Sequence, residues 1–185
     1  FKPEMACFLA NMETSVNLVQ DSKPVFGEDV LVLGQGIVGL LTAALLSEFP
    51  LNQLFTVDKY RTRREASLGI GADDSIDPAD PEFLDALGAL LPEGSDLTIE
   101  LTGVPEALNN AIKLTGFGGR IVIGSWYGER QAPIDLGGKF HRSRLHLIAS
   151  QVSTISAELS DRWDKNRRLA ASWSAIQRIR PDRWI

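Results

Sequence analysis

Short runs of β-branched and leucine residues alternate along this chain with longer stretches of helical spacing, and that alternation predicts an architecture. Asp29 to Leu33 (DVLVL) follows Gly27 and Glu28 and precedes a glycine, the pattern of a strand buried on both faces. Ile37 to Phe49 is apolar almost all round and stops at Pro50, as a buried helix would. Leu54 to Val57 predicts a second strand, Arg61 to Leu68 a helix closed by Gly69 and Gly71, and Ser75 with Ile76 a brief third strand. Pro81 to Leu91 predicts a helix ended by Pro92 and Gly94, and Asp96 to Leu101 a fourth strand. Pro105 to Leu114 predicts a helix with proline in its permitted first turn, and Arg120 to Ile123 and Leu145 to Ala149 complete six strands. Helical crossovers without repeated hairpin signals imply a parallel sheet covered on both faces, a doubly wound α/β domain.

Two flanks stand outside this rhythm. Glu4 to Val19 carries Met5, Phe8, Leu9, Met12, Val16 and Val19 on roughly one helical face, and Ala157 to Ile179 carries Trp163, Ala170, Trp173 and Ile176 near one stripe. The expected division is a helical lead-in over 1–26, the sheet domain over 27–152 and a C-terminal helical segment over 153–185. Both flanks are expected to pack on the sheet domain, although Trp163, Trp173 and Trp184, if exposed, would also suit docking against another protein.

The chain has 185 residues, 44% of them hydrophobic and 23% charged, enough to bury a core without staples. A single cysteine, Cys7, removes any disulfide framework or cysteine-built zinc cluster from this chain alone, and a reducing, cytoplasmic setting is the expectation. Cys7 itself reads as a small buried residue. The net charge of -5 is uneven: Asp161 to Ile185 holds seven basic residues against three acids, so the first 160 residues carry -9. That bulk should repel nucleic acid and anionic lipid. The longest apolar run, Ile37 to Leu46, falls well short of the roughly 18 residues of a membrane span. The opening Phe1-Lys2-Pro3-Glu4 has neither an initiator Met nor a signal peptide's apolar stretch and reads as a cut end.

The stretch that carries chemistry is Val30 to Gly39, where a strand runs directly into G-x-G-x-x-G and then a helix. Gly34 permits the tight turn, Gly36 lets a pyrophosphate approach the backbone, and Gly39 lets the helix lie against the strand. The amides near Ile37 and Val38 then face the phosphates at the positive end of the helix. Asp58, nineteen residues past Gly39 at the end of the second strand, is placed to accept hydrogen bonds from an adenosine ribose, favouring NAD over NADP. Lys59, Arg61, Arg63 and Arg64 complicate that preference, because their charge could welcome a 2'-phosphate. Asp58 could instead cap the following helix. The expected fold is thus a six-stranded Rossmann fold with flanking helices.

In these residues the chain resembles the medium-chain dehydrogenase/reductases, the zinc-type alcohol dehydrogenase-like proteins, over about residues 4 to 150. The resemblance rests on GQGIVG (34–39), the approach Gly27-Glu28-Asp29, the segment Leu68 to Asp73, Glu100-Leu101-Thr102-Gly103, and Gly118 to Gly124. It implies a cofactor domain of an NAD(P)-dependent oxidoreductase acting on alcohols, polyols or ketones. It further implies Thr102 and Gly103 on the adenosine side of the cofactor, and Gly124, Ser125 and Trp126 on the nicotinamide side. For Thr102 a helix cap, and for Trp126 core packing, remain open. Polyol- and threonine-dehydrogenase-like members have a Glu-Pro pair near Asn11 to Thr14, its Glu lying at the catalytic zinc. Here Glu13 precedes Thr14, and a structural role for Glu13 stands beside the metal role. No His or Cys keeps ligand spacing with Glu13, so zinc is an expectation only for an intact protein.

The resemblance also implies a catalytic domain N-terminal to this one, so the chain is expected to be a fragment without its own general base. The alternative is a non-catalytic dinucleotide-binding sensor or assembly module. A homodimer is implied too, and the edge strand from Leu145 toward Val152, with apolar Leu147 and Ile148, is the expected contact.

Overall fold

The computed structural model describes residues 3–184. Six strands form one wholly parallel sheet: β1 (Asp29–Leu33), β2 (Gln53–Val57), β3 (Asp74–Ile76), β4 (Ser95–Glu100), β5 (Thr115–Ile123) and β6 (His146–Ala149). Their order is β3-β2-β1-β4-β5-β6, the Rossmann arrangement, with the reversal of strand order falling between β1 and β4. The helices are α1 (Leu9–Ser22), α2 (Ile37–Leu46), α3 (Arg61–Gly69), α4 (Phe83–Leu90), α5 (Ala107–Leu114) and α6 (Lys165–Ile179).

The period-2 alternation of the strands divides the core in two. Leu31 and Leu33 of β1 join Phe55, Val57 and Ile121 under Leu87 of α4 and Leu108 and Ile112 of α5. Val30 and Val32 join Leu54, Leu97, Ile99 and Val122 under Leu18 of α1 and Ala43 and Leu46 of α2. A third cluster explains why α2 is apolar all round: Leu41 and Leu45 turn away from the sheet onto Met12 of α1 and Ala175 and Ile176 of α6. Each such leucine, fully buried, contributes about 1.5–3 kcal/mol. The flanking helices are thereby part of the folded body. The C-terminal end of α1 is anchored by Arg120 of β5, which donates to Ser22 O and to both Glu28 oxygens at 2.8 and 2.7 Å. Burial pushes the Glu28 carboxyl up, but Arg120 and the Val25 amide more than reverse this and hold it below its ordinary range.

Several expectations are corrected. The N-terminal helix is not continuous from Glu4: Pro3–Phe8 is a 3₁₀ turn, and α1 runs on to Ser22. Cys7 lies in that turn and is exposed, its Sγ donating to Glu4 O at 2.7 Å. The C-terminal helix begins at Lys165 instead of Ala157, because the Asp164 carboxylate accepts from Arg167 N at 2.7 Å and caps it there. β5 starts at Thr115, five residues before Arg120, through a glycine-rich stretch that has little strand propensity of its own. Of the three tryptophans that would suit docking if exposed, Trp173 and Trp184 pack on the third cluster, and Trp163 is half-buried with Arg167 4.3 Å over its ring. The large exposed apolar side chains are others, notably Phe26, Phe117 and Trp126. No helix among the described residues is long and apolar enough to cross a membrane.

Candidate functional site

At the carboxyl ends of β1, β2 and β4, beside the reversal of strand order, a cleft of about 440 Å³ opens. This is where open α/β sheets bind their ligands. Of the residues expected at a site, Gly34, Gly36, Asp58, Lys59, Arg63 and Thr102 line it. Ile37, Val38, Gly39, Gly103, Gly124, Ser125 and Trp126 do not line the cleft itself. Pro78, Phe83, Val104, Glu106 and Asn110 do line it without having been expected there. Pro78 follows the end of β3, and Glu106 and Asn110 lie at the start of α5. Their position beyond strand ends was the available signal.

The three glycines of the turn have distinct surroundings. Gly34 has φ +92°, and a Cβ there would stand 2.7 Å from the Leu101 carbonyl and 2.8 Å from Thr102 N. A Cβ on Gly39 would stand 2.0 Å from Gly34 O, so α2 can lie against β1 only without one. Gly36 differs: nothing of the protein lies within 4 Å of its absent Cβ, and the residue lines the cleft. The open space over Gly36 is a cradle that any side chain would fill. It fits a diphosphate, which must come close to backbone amides at a helix start.

Asp58 is 6% exposed and already engaged. Its Oδ2 accepts from Gln35 N at 2.8 Å, inside the glycine turn, and its Oδ1 from Tyr60 N at 2.8 Å. Arg63 Nη1 reaches Oδ2 at 3.4 Å while its guanidinium stacks 4.6 Å from the Tyr60 ring. A carboxylate offers about four acceptor sites, so Asp58 keeps capacity for a hydroxyl while fixing the turn beside it. The cap of α3 falls at Tyr60 and not at Asp58.

On the other half of the sheet, Glu100 ends β4 fully buried. Its Oε1 accepts from Thr102 N at 2.8 Å and from Thr102 Oγ1, and its Oε2 from the Tyr127 hydroxyl. Burial, and then the adjoining Glu100 carboxylate, push the Tyr127 phenol above its ordinary range. Gly103 N donates to Ser125 Oγ at 2.8 Å, so the loops after β4 and β5 are tied together. Thr102 does not cap a helix: its Oγ1 accepts from Val104 N within the loop. Trp126 is 89% exposed, which removes core packing as its role.

Glu13 lies apart from the cleft residues. Its Oε1 accepts from Arg168 Nε at 3.2 Å and Nη2 at 3.1 Å. Among the described residues no group of three or more His, Cys, Asp or Glu side chains gathers to hold a metal ion. The donors among the described residues therefore do not make a zinc site by themselves.

The family described as zinc-binding dehydrogenase matches residues 38–172. An L-threonine 3-dehydrogenase of Streptomyces avermitilis is 36% identical over 103 residues, covering 55% of this chain and 30% of the relative. One from Bacillus subtilis is 32% identical over 140 residues, covering 74% of this chain and 39% of the relative. A zinc-binding dehydrogenase from Sinorhizobium meliloti, solved bound to NADP, superposes with a TM-score of 0.77 at 23% identity over 95% of this chain and 50% of that one. The chain thus matches half or less of the length of each, and the structural likeness speaks for the fold.

Proposed function

The chain belongs to the zinc-binding dehydrogenase family, and from that premise we propose that residues 27–152 are the dinucleotide-binding unit of an oxidoreductase acting on an alcohol, polyol or ketone. One observation carries the reading: the cleft beyond β1 and β2 combines an open backbone cradle at Gly36 with a carboxylate at Asp58. In this reading Gly34, Gly36, Ile37, Val38 and Gly39 form the diphosphate turn, with the first amides of α2 as donors. Asp58 accepts from the adenosine ribose, and Lys59 and Arg63 wall that side. Thr102 and Gly103 border the adenosine side of the cofactor, and Gly124, Ser125 and Trp126 its nicotinamide side. Nicotinamide, when bound, supplies the hydride chemistry at its C4 carbon. Asp58 supports NAD over NADP, since a 2'-phosphate would face its charge across Arg63.

The test is titration of the chain with NADH, followed by nicotinamide fluorescence, against Asp58→Ala. Hydrogen bonds to a charged group contribute about 1.5–3 kcal/mol, so the affinity is expected to fall about tenfold or more. Unchanged binding would remove Asp58 from the site. NADPH is expected to bind more weakly than NADH to the unsubstituted chain, and the reverse order would overturn the cofactor preference.

For the longer protein, a zinc ion would draw most of its ligands from outside the described residues, with Glu13 shared with Arg168. A small-molecule partner, not nucleic acid or membrane, is supported by the acidic charge of the first 160 residues. β6 pairs with β5 alone and leaves an edge carrying partly buried Leu147 and Ile148, which supports a homodimer through the region from Leu145 to Val152. Light scattering is expected to give twice the 20.3 kDa of the chain, and Ala149→Lys, on the exposed edge, to shift it to monomer. A monomeric mass for the unsubstituted chain would rule this contact out.

A further inference from the structure

Glu100 has no ion-pair partner among the described residues: it is fully buried, and the groups that meet its carboxylate are neutral donors. Burying a carboxylate is costly unless hydrogen bonds satisfy it, so this position calls for a reason. The partners supply one. Oε1 holds the amide and hydroxyl of Thr102, which lines the cleft, and Oε2 holds Tyr127 in the loop after β5. The Glu100 carbonyl accepts from Gly124 N and Ser125 N at 3.0 and 3.2 Å, so the start of that second loop hangs on the same residue. The peptide between Leu101 and Thr102 is also the one against which Gly34 packs, where a Cβ would meet its carbonyl and nitrogen at 2.7–2.8 Å. One carboxylate thus touches the rim of the dinucleotide turn on one side and the β5 loop on the other.

We propose that Glu100 is a positioning residue whose carboxylate, held between Thr102 and Tyr127, sets the spacing of the loops after β4 and β5 and so shapes the place where the second nucleotide lies. This rests on the dinucleotide reading above. A doubly wound sheet consists of two mononucleotide-binding halves, and β4 and β5 belong to the half opposite Asp58. Tyr127 lies in the loop after β5, on the nicotinamide side, while Thr102 stays held by Oε1, so loss of the Tyr127 arm should act on the nicotinamide end of a dinucleotide and spare its adenosine end. Tyr127 is the partner to remove, because it is only partly buried and its replacement by phenylalanine keeps the ring.

The experiment compares NADH with ADP-ribose, which lacks only nicotinamide, by calorimetric titration of the full chain and its Tyr127→Phe and Glu100→Gln variants. Tyr127→Phe is expected to weaken NADH at least fivefold while leaving ADP-ribose within twofold. Glu100→Gln can still accept from Thr102 and donate to the Tyr127 oxygen, and is expected to retain more of the NADH affinity than Tyr127→Phe. A melting temperature for each variant shows whether it is folded. Equal weakening of both ligands, or no change in either, would overturn the positioning role while leaving the dinucleotide site standing. An unsubstituted chain that holds ADP-ribose as tightly as NADH would overturn it as well. Failure of the unsubstituted chain to bind either ligand would instead overturn the dinucleotide reading itself.

Discussion

Alanine at Gly36 is expected to leave the fold intact and abolish most dinucleotide binding, whereas alanine at Gly39 is expected to unfold the junction. The difference lies in what each new methyl would meet. At Gly36 it meets no protein atom within 4 Å, and the backbone there has φ -67°, which alanine adopts freely. Stability should stay within about 0.5 kcal/mol, as for a surface substitution. The methyl occupies the cradle, however, so NADH affinity should fall more than tenfold. At Gly39 the methyl stands 2.0 Å from Gly34 O, and both atoms belong to the backbone of one tight turn. Overpacking of that kind costs about 1–3 kcal/mol or more, which for a chain of this size lowers the melting temperature by roughly 2–4 °C per kcal/mol. Thermal melts paired with NADH titrations read both effects. Wild-type affinity in Gly36→Ala would show that nothing approaches the backbone there, and the proposed site would fall.

Those two glycines belong to the part of the structure that local sequence encodes. Runs such as DVLVL are dictated by burial on both faces, and the turn by the positive φ of Gly34 and the close approach at Gly39, so β1, the start of α2 and the parallel sheet were legible. The ends of elements were less so. α6 begins at Lys165 because of one side-chain cap at Asp164, while the apolar stripe alone extends the helix backward to Ala157. The candidate site divides in the same way. Asp58 stands out by its distance from the glycines; Glu100 lies in a segment that carries the resemblance, but its bond to Tyr127, 27 residues later, is visible only in the fold. Partnerships across such separations leave no periodicity and no spacing to read, and Glu13 with Arg168, 155 residues apart, is the extreme case.

That last pair underlies the largest stability effect expected. Arg168 on α6 is 1% exposed, and its five guanidinium N–H groups are all used: two on Glu13 Oε1, one on Asn17 Oδ1 at 2.6 Å, one on Thr154 O at 2.9 Å and one on Val152 O. The side chain thus joins α1, α6 and the segment following β6. Asn17 extends the link by donating to Asp21 and Ser150, both at 2.9 Å. Removing one partner of a buried ion pair typically costs about 3–5 kcal/mol, because the other charge and its acceptors are left unsatisfied. Arg168→Met should therefore lower the melting temperature by about 6–20 °C. Glu13→Gln should cost less, since Glu13 is partly exposed and its amide oxygen still accepts from the guanidinium. Because the two residues act on each other, the double variant should lose less than the sum of the single losses, and a double-mutant cycle measures that coupling. An Arg168→Met protein melting within about 2 °C of the parent would mean that the flanking helices are held by the apolar contacts of Met12, Leu41 and Ile176 alone.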